Sequence, residues 1–215
     1  MANNRIDPET YCSLHSEPES ALLAEITRKT CLSQVYPRML TSHLQGRFLS
    51  MISQLVCPEN ILEIGTFTGY SALCLAEGLQ KGGKLITIDK NPEMEDIAKG
   101  FFEKSAYCQQ ITMLSGDALE IVKEIGITFQ LVFIDADKTE YLSYYESVFE
   151  KVSPGGYILA DNVLWGGKVL DADLVADKET RGMLKFNEFV RNDDRVDKLM
   201  LPLRDGITIL RKKSF

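Results

Sequence analysis

From Asn60 onward the chain alternates between short runs of continuous apolar residues and longer stretches with apolar positions three and four apart. Ile61 to Ile64, Lys84 to Asp89, Ile111 to Ser115, Phe129 to Asp135 and Tyr157 to Asp161 have the first pattern and read as strands. Ser71 to Leu79, Pro92 to about Lys104, Ala118 to about Glu124 and Glu140 to Lys151 have the second and read as helices. Strands apolar throughout suit a sheet buried on both faces, so the pattern predicts a mostly parallel sheet with helices on either side.

Upstream, Pro18 to Cys31 places Leu22, Leu23 and Ile26 at helical spacing, and Thr41 to Gln45 lead into a second helix, Arg47 to Leu55. Both lie outside the alternation, so residues 1–55 are expected to form a helical extension of one domain covering 1–215. Downstream, Leu164 to Lys178 reads as a long loop rich in Gly and Asp, followed by a helix from Glu179 to Arg191. The last strands, around Leu199 to Pro202 and Ile207 to Leu210, are joined by Arg204-Asp205-Gly206; an Asp-Gly pair between strands is a hairpin signal. The expected fold is therefore α/β, Rossmann-like and doubly wound, with a mostly parallel seven-stranded sheet ending in an antiparallel hairpin.

Composition narrows the function. With 45% hydrophobic and 26% charged residues, the 215-residue chain can bury a sizeable core. A formal charge of -7 without a basic stripe argues against nucleic acid as a partner. Five cysteines, scattered and never in a Cys-x-x-Cys pair, suit free thiols in a reducing cytoplasm. The polar N-terminus does not read as a signal peptide and no apolar run approaches a membrane span, so a cytoplasmic protein with no membrane partner is expected.

The candidate chemistry sits at strand ends. Ile61 to Ser71 reads as strand, glycine turn and helix start, with Gly65 and Gly69 letting the backbone turn and a ligand approach its amides. The dinucleotide fingerprint and the P-loop lysine are both absent, and Glu63 suits an amine-bearing ligand better than a pyrophosphate. Glu63, Asp89, Asp135 and Asp161 each close an apolar strand, and the carboxyl ends of parallel strands line the ligand crevice. Asp89 falls about twenty residues beyond the glycine turn, the spacing for ribose hydroxyls. Asp117-Ala118 suits an adenine edge, or equally a helix N-cap with Glu120 completing a capping box. Asp135, Asp161 and Asn162 offer oxygen ligands with no histidine or cysteine pair among them, which favours Mg²⁺ over zinc; a capped turn and a solvated strand end is the other reading. Lys138, one helical turn after Asp135, is either a proton acceptor beside a dication or a surface lysine.

Ile61 to Ser71, Leu85 to Asp89, Phe133-Ile134-Asp135-Ala136-Asp137-Lys138, Leu159-Ala160-Asp161-Asn162-Val163 and Arg204-Asp205-Gly206 together resemble the cation-dependent O-methyltransferases, which include the catechol and caffeoyl-CoA enzymes and bacterial relatives. The resemblance spans roughly residues 35 to 212 and implies the class I methyltransferase fold. It also implies an S-adenosylmethionine site at Met39, Thr41, Glu63, Gly65, Thr66, Ser71, Asp89, Asp117, Ala118 and Asp135. The metal ligands implied are Asp135, Asp161 and Asn162, for Mg²⁺ or another divalent cation such as Ca²⁺ or Mn²⁺, and the implied general base is Lys138. A small vicinal diphenol, catechol- or caffeoyl-type, is the implied acceptor and a homodimer the implied assembly. A non-catalytic nucleotide-binding module on the same fold and an NAD-dependent oxidoreductase are the alternatives; the missing glycine fingerprint and the Asp161-Asn162 pair count against the second.

Overall fold

Residues 6–171 and 177–214 are described by the computed structural model. Three helices come first, α1 (Pro8–Leu14), α2 (Ala21–Ser33) and α3 (His43–Val56). The alternating core follows as β1 (Asn60–Ile64), α4 (Tyr70–Ala76), β2 (Lys84–Asp89), α5 (Glu93–Phe102), β3 (Ile111–Ser115), α6 (Ala118–Glu124), β4 (Phe129–Ile134), α7 (Tyr141–Phe149) and β5 (Val152–Asp161). The chain closes with α8 (Lys178–Arg191), β6 (Val196–Leu201) and β7 (Ile207–Lys212).

The seven strands form one sheet in the order β3-β2-β1-β4-β5-β7-β6. Only β7 runs against the others, pairing antiparallel with β5 and β6, as the Asp-Gly signal predicted. Strand order reverses between β1 and β4, which places the ligand crevice of this architecture at their carboxyl ends. Continuous apolar strands are needed because alternate residues enter different layers. Leu62, Ile64, Val132 and Ile134 pack with Tyr141, Tyr145 and Phe186 beneath α7 and α8. Ile61, Leu131 and Phe133 pack with Leu23, Ile26, Leu49 and Leu73 on the opposite face.

The helices of this second face bring in the N-terminal segment. Ser20 caps α2 and Ser42 caps α3, each accepting from a backbone N–H of the first turn, a contact worth about 1 kcal/mol. Thr30 of α2 is buried against Thr68 of the glycine turn, their hydroxyls 2.9 Å apart. Three details depart from expectation. Asp7 caps an additional helix, α1, that buries none of its residues. Pro154-Gly155-Gly156 lies inside β5 as a register shift, with Phe129 opposite Val152 but Leu131 opposite Tyr157. The expected loop from Leu164 carries a 3-10 segment, Trp165–Leu170, while its residues 172–176 lie outside the described residues. Among the described residues no helix is long and apolar enough to cross a membrane.

Candidate functional site

The glycine turn is held from beneath. Gly65 has φ +102°, and a Cβ there would stand 2.0 Å from the Asp135 carbonyl oxygen. The backbones of β1, β2 and β4 meet at this point, with Gly65 N donating to Ile88 O and Asp135 N donating to Ile64 O, each at 2.8 Å. Close strand passage therefore demands this glycine, a different reason from the ligand approach read from the sequence. Asp89 completes the turn: Oδ2 accepts from Thr66 N (3.0 Å) and Phe67 N (2.7 Å), and Oδ1 from Asn91 N (2.8 Å).

Glu63 lies fully buried in β1 beside its partner in the sheet, Thr87. Thr87 Oγ1 donates to Glu63 Oε2 at 2.5 Å, and the Thr66 and Thr87 hydroxyls are also 2.5 Å apart. Ser71, in the first turn of α4, is buried within reach of the same carboxyl. Burial pushes the Glu63 carboxyl up to about 8, and the charges of Asp135 and Asp89 add to the rise. A carboxyl with that affinity for protons at the crevice floor is poised to pair with an ammonium group or to keep its proton.

The opposite wall is built on β4 and β5. Lys138 begins a 3-10 turn, Lys138–Glu140, and its Nζ donates to Asp135 Oδ1 (2.8 Å) and Tyr141 Oη (2.9 Å). Only 8% of Lys138 is exposed, which sets aside the surface-lysine reading. Tyr141 donates in turn to the Asp161 carbonyl at 3.0 Å, tying lysine and β5 together. Gly182 of α8 lets that helix press on the turn, since a Cβ there would stand 2.3 Å from Lys138 O. Asp161 is 1% exposed, and its Oδ1 is buried without a hydrogen-bond partner. Burial first, then the neighbouring Asp135 charge, pushes its carboxyl up to about 7, while Gln45 and Lys138 work the other way. Asn162 follows with a left-handed backbone, φ +56°.

The structure thus draws Glu63, Asp89, Asp135, Lys138 and Asp161 into one electrostatic neighbourhood. Asp117 caps α6 by accepting from Leu119 N at 2.8 Å, while Glu120 pairs with Lys123, so no capping box forms. Ala118 is buried behind it. Thr41 is buried, whereas Met39 is 58% exposed on the 3-10 turn Pro37–Met39. Sequence reasoning missed Thr87, Gln45 and Tyr141. Only Tyr141 left a signal, its spacing of three from Lys138. Among the described residues no three His, Cys, Asp or Glu form a cation cage. The oxygen donors on offer are two carboxylates, Asp135 and Asp161, and the Asn162 amide.

Comparison with known proteins identifies the family and the fold. Residues 13–213 match the model of a protein family described as O-methyltransferase. The chain is 36% identical over 210 residues to caffeoyl-CoA O-methyltransferase 1 of Arabidopsis thaliana, covering 92% of this chain and 80% of that protein. It is likewise 36% identical to caffeoyl-CoA O-methyltransferase 2 of Eucalyptus globulus, covering 92% and 83%. Among solved structures, an O-methyltransferase from Bacillus cereus in complex with SAH superposes with a TM-score of 0.87 at 30% identity, over 94% of this chain and 96% of that one. The O-methyltransferase TomG of Streptomyces achromogenes, in complex with SAM, gives 0.88 at 27% identity over 95% of each chain.

Proposed function

The chain belongs to the O-methyltransferase family and is an S-adenosylmethionine-dependent O-methyltransferase, and on that premise we propose that it methylates one oxygen of a vicinal diphenol, catechol- or caffeoyl-type, with a divalent cation. Asp135, Asp161 and Asn162 would hold the cation, Mg²⁺ by the hardness of its oxygen ligands. One observation carries the reading: Asp161 buries a carboxylate oxygen with no partner beside a second carboxylate, Asp135. Lys138 is ion-paired with Asp135, so the buried Asp161 carboxylate beside that pair stays costly unless further positive charge joins it. Glu63, Gly65, Thr66, Ser71 and Asp89 would form the donor side, with Met39 and Thr41 near its methionine end, Asp117 and Ala118 at its adenine end, and Asp135 between the two sides. Membership of the O-methyltransferase family counts against the oxidoreductase alternative, and the buried Lys138 counts against the non-catalytic one.

S-adenosylmethionine supplies the methyl group, and the cation supplies the charge that favours an ionised acceptor hydroxyl. The chain supplies the rest. Lys138 would take the hydroxyl proton at Nζ as the neutral amine, becoming the ammonium that donates to Asp135 Oδ1 and Tyr141 Oη. The buried walls around Asp161 and Glu63 exclude water and align donor with acceptor, an effect worth as much as about 7 kcal/mol of barrier. A methyl-transfer screen of isomeric diphenols tests the acceptor: adjacent hydroxyls should be methylated and separated ones should not. Equal rates on both would refute the vicinal requirement.

The proposed assembly is a homodimer. Leu32, Val35, Tyr36 and Met39 are 78%, 84%, 60% and 58% exposed around the end of α2, an apolar stretch that a second subunit would cover. Sedimentation at micromolar concentration should give twice the mass of one chain; a species of one chain's mass would contradict it.

A further inference from the structure

The turn between β6 and β7 holds more than a hairpin. Arg204 has a left-handed backbone, φ +51°, which glycine takes freely and a residue with Cβ does not. A long side chain kept at such a position points to work done by that side chain. Its guanidinium donates to two acceptors in the segment leading into α3 and to one in the first turn of α3. Nη1 reaches Leu40 O (2.8 Å) and Gln45 Oε1 (3.2 Å), and Nη2 reaches Arg38 O (2.7 Å). That segment carries Met39 and Thr41, and Gln45 lies beside Asp161.

The next two residues grip the other wall. Asp205 Oδ1 accepts from Gly166 N (2.5 Å) and its carbonyl from Leu164 N (2.9 Å). The Gly206 carbonyl accepts from Val163 N at 3.1 Å, and a Cβ on Gly206 would stand 2.5 Å from Leu164 Cγ. Val163 to Gly166 continue directly from Asp161 and Asn162.

We propose that Arg204 is a positioning residue that locks the 38–45 segment to the loop following Asp161 and Asn162, so that the two walls of the crevice are held as one unit. The assignment of those walls to donor and acceptor rests on the proposed function; the lock itself does not. A planar fork spanning two carbonyls and an amide oxygen is arginine chemistry, and a lysine ammonium is a single point donor on a flexible stem.

Arg204→Gly isolates the side chain, because glycine suits the backbone there and the fold is not strained by the change. In the full chain without ligand, amide hydrogen exchange at Met39, Leu40 and Gly46 should accelerate about tenfold or more, and by more than the amides of β1 and β4. In the methyl-transfer assay kcat should fall about tenfold or more, with acceptor KM changing less, because misalignment costs rate before affinity. Arg204→Lys should show the same losses, and it carries the test if Arg204→Gly does not fold. Parental exchange and parental kcat in both variants would overturn the proposal, as would full recovery of both by lysine. A parent protein that neither binds S-adenosylmethionine nor methylates would refute the proposed function, and the exchange rates would still decide for or against the lock.

Discussion

Gly65→Ala separates two reasons for the glycine turn. A residue with Cβ held at φ +102° carries a backbone cost of about 1–3 kcal/mol. Its Cβ would also stand 2.0 Å from Asp135 O, so the ends of β1 and β4 must move apart. Overpacking of that kind adds about 1–3 kcal/mol, for a total of roughly 2–6 kcal/mol against a domain stability of about 5–15 kcal/mol. Gly82→Ala is the control: φ is +82° there and no atom lies within 4 Å of the added Cβ, which leaves only a backbone cost of about 1–2 kcal/mol. Urea unfolding of both variants without ligand measures the difference. Because the displaced group is the main chain of Asp135, folded Gly65→Ala should also bind donor and cation less well. Equal ligand-free stability for the two variants, with only donor affinity lost in Gly65→Ala, would refute the packing argument and restore ligand approach as the reason.

Lys138→Met keeps the aliphatic stem and removes the proton acceptor, so kcat should fall roughly 10²- to 10⁴-fold with donor binding retained; parental kcat would remove Lys138 from proton transfer. Glu63→Gln should remove a pH effect. Folded Glu63 keeps a proton up to about 8 that the unfolded chain gives up near 4.5, so the parent loses stability relative to the variant as pH rises through that window. Parallel unfolding midpoints for parent and variant from pH 4.5 to 8 would contradict this. Asp89→Ala should weaken S-adenosylmethionine binding by about 1 to 3 kcal/mol and lower ligand-free stability too, since three backbone donors lose their acceptor. Lower stability with unchanged donor affinity would make Asp89 a support for the turn alone.

The strands were legible because burial on both faces makes each one apolar throughout, and their acidic ends marked the crevice. Lys138 was legible by its spacing from Asp135, although only its burial distinguishes it from a surface lysine. Tyr141 was hidden for a physical reason. It shares helical spacing with Tyr144 and Tyr145, which reads as a core stripe, and it is indeed packed edge-on against Phe186 while its hydroxyl serves the site. Asp89 and Asp117 show why acids just after strands are ambiguous: each is occupied by backbone amides, Asp89 by Thr66, Phe67 and Asn91 and Asp117 by Leu119. Arg204 had no local signal, since its acceptors Arg38 and Leu40 lie more than 160 residues away in sequence. α1 did leave one, Asp7-Pro8 at its start, an N-cap followed by proline at the first helical position.

In the proposed function Asp135, Asp161 and Asn162 hold a divalent cation required for methyl transfer. The most direct test is turnover of a vicinal diphenol with S-adenosylmethionine before and after chelation, in the parent and in Asp161→Ala. EDTA should stop the parent and Mg²⁺ should restore it. Asp161→Ala should stay inactive at any Mg²⁺ level while binding the donor almost as the parent does. Parental turnover that survives complete chelation, or Asp161→Ala turning over at the parental rate, would contradict the proposed function.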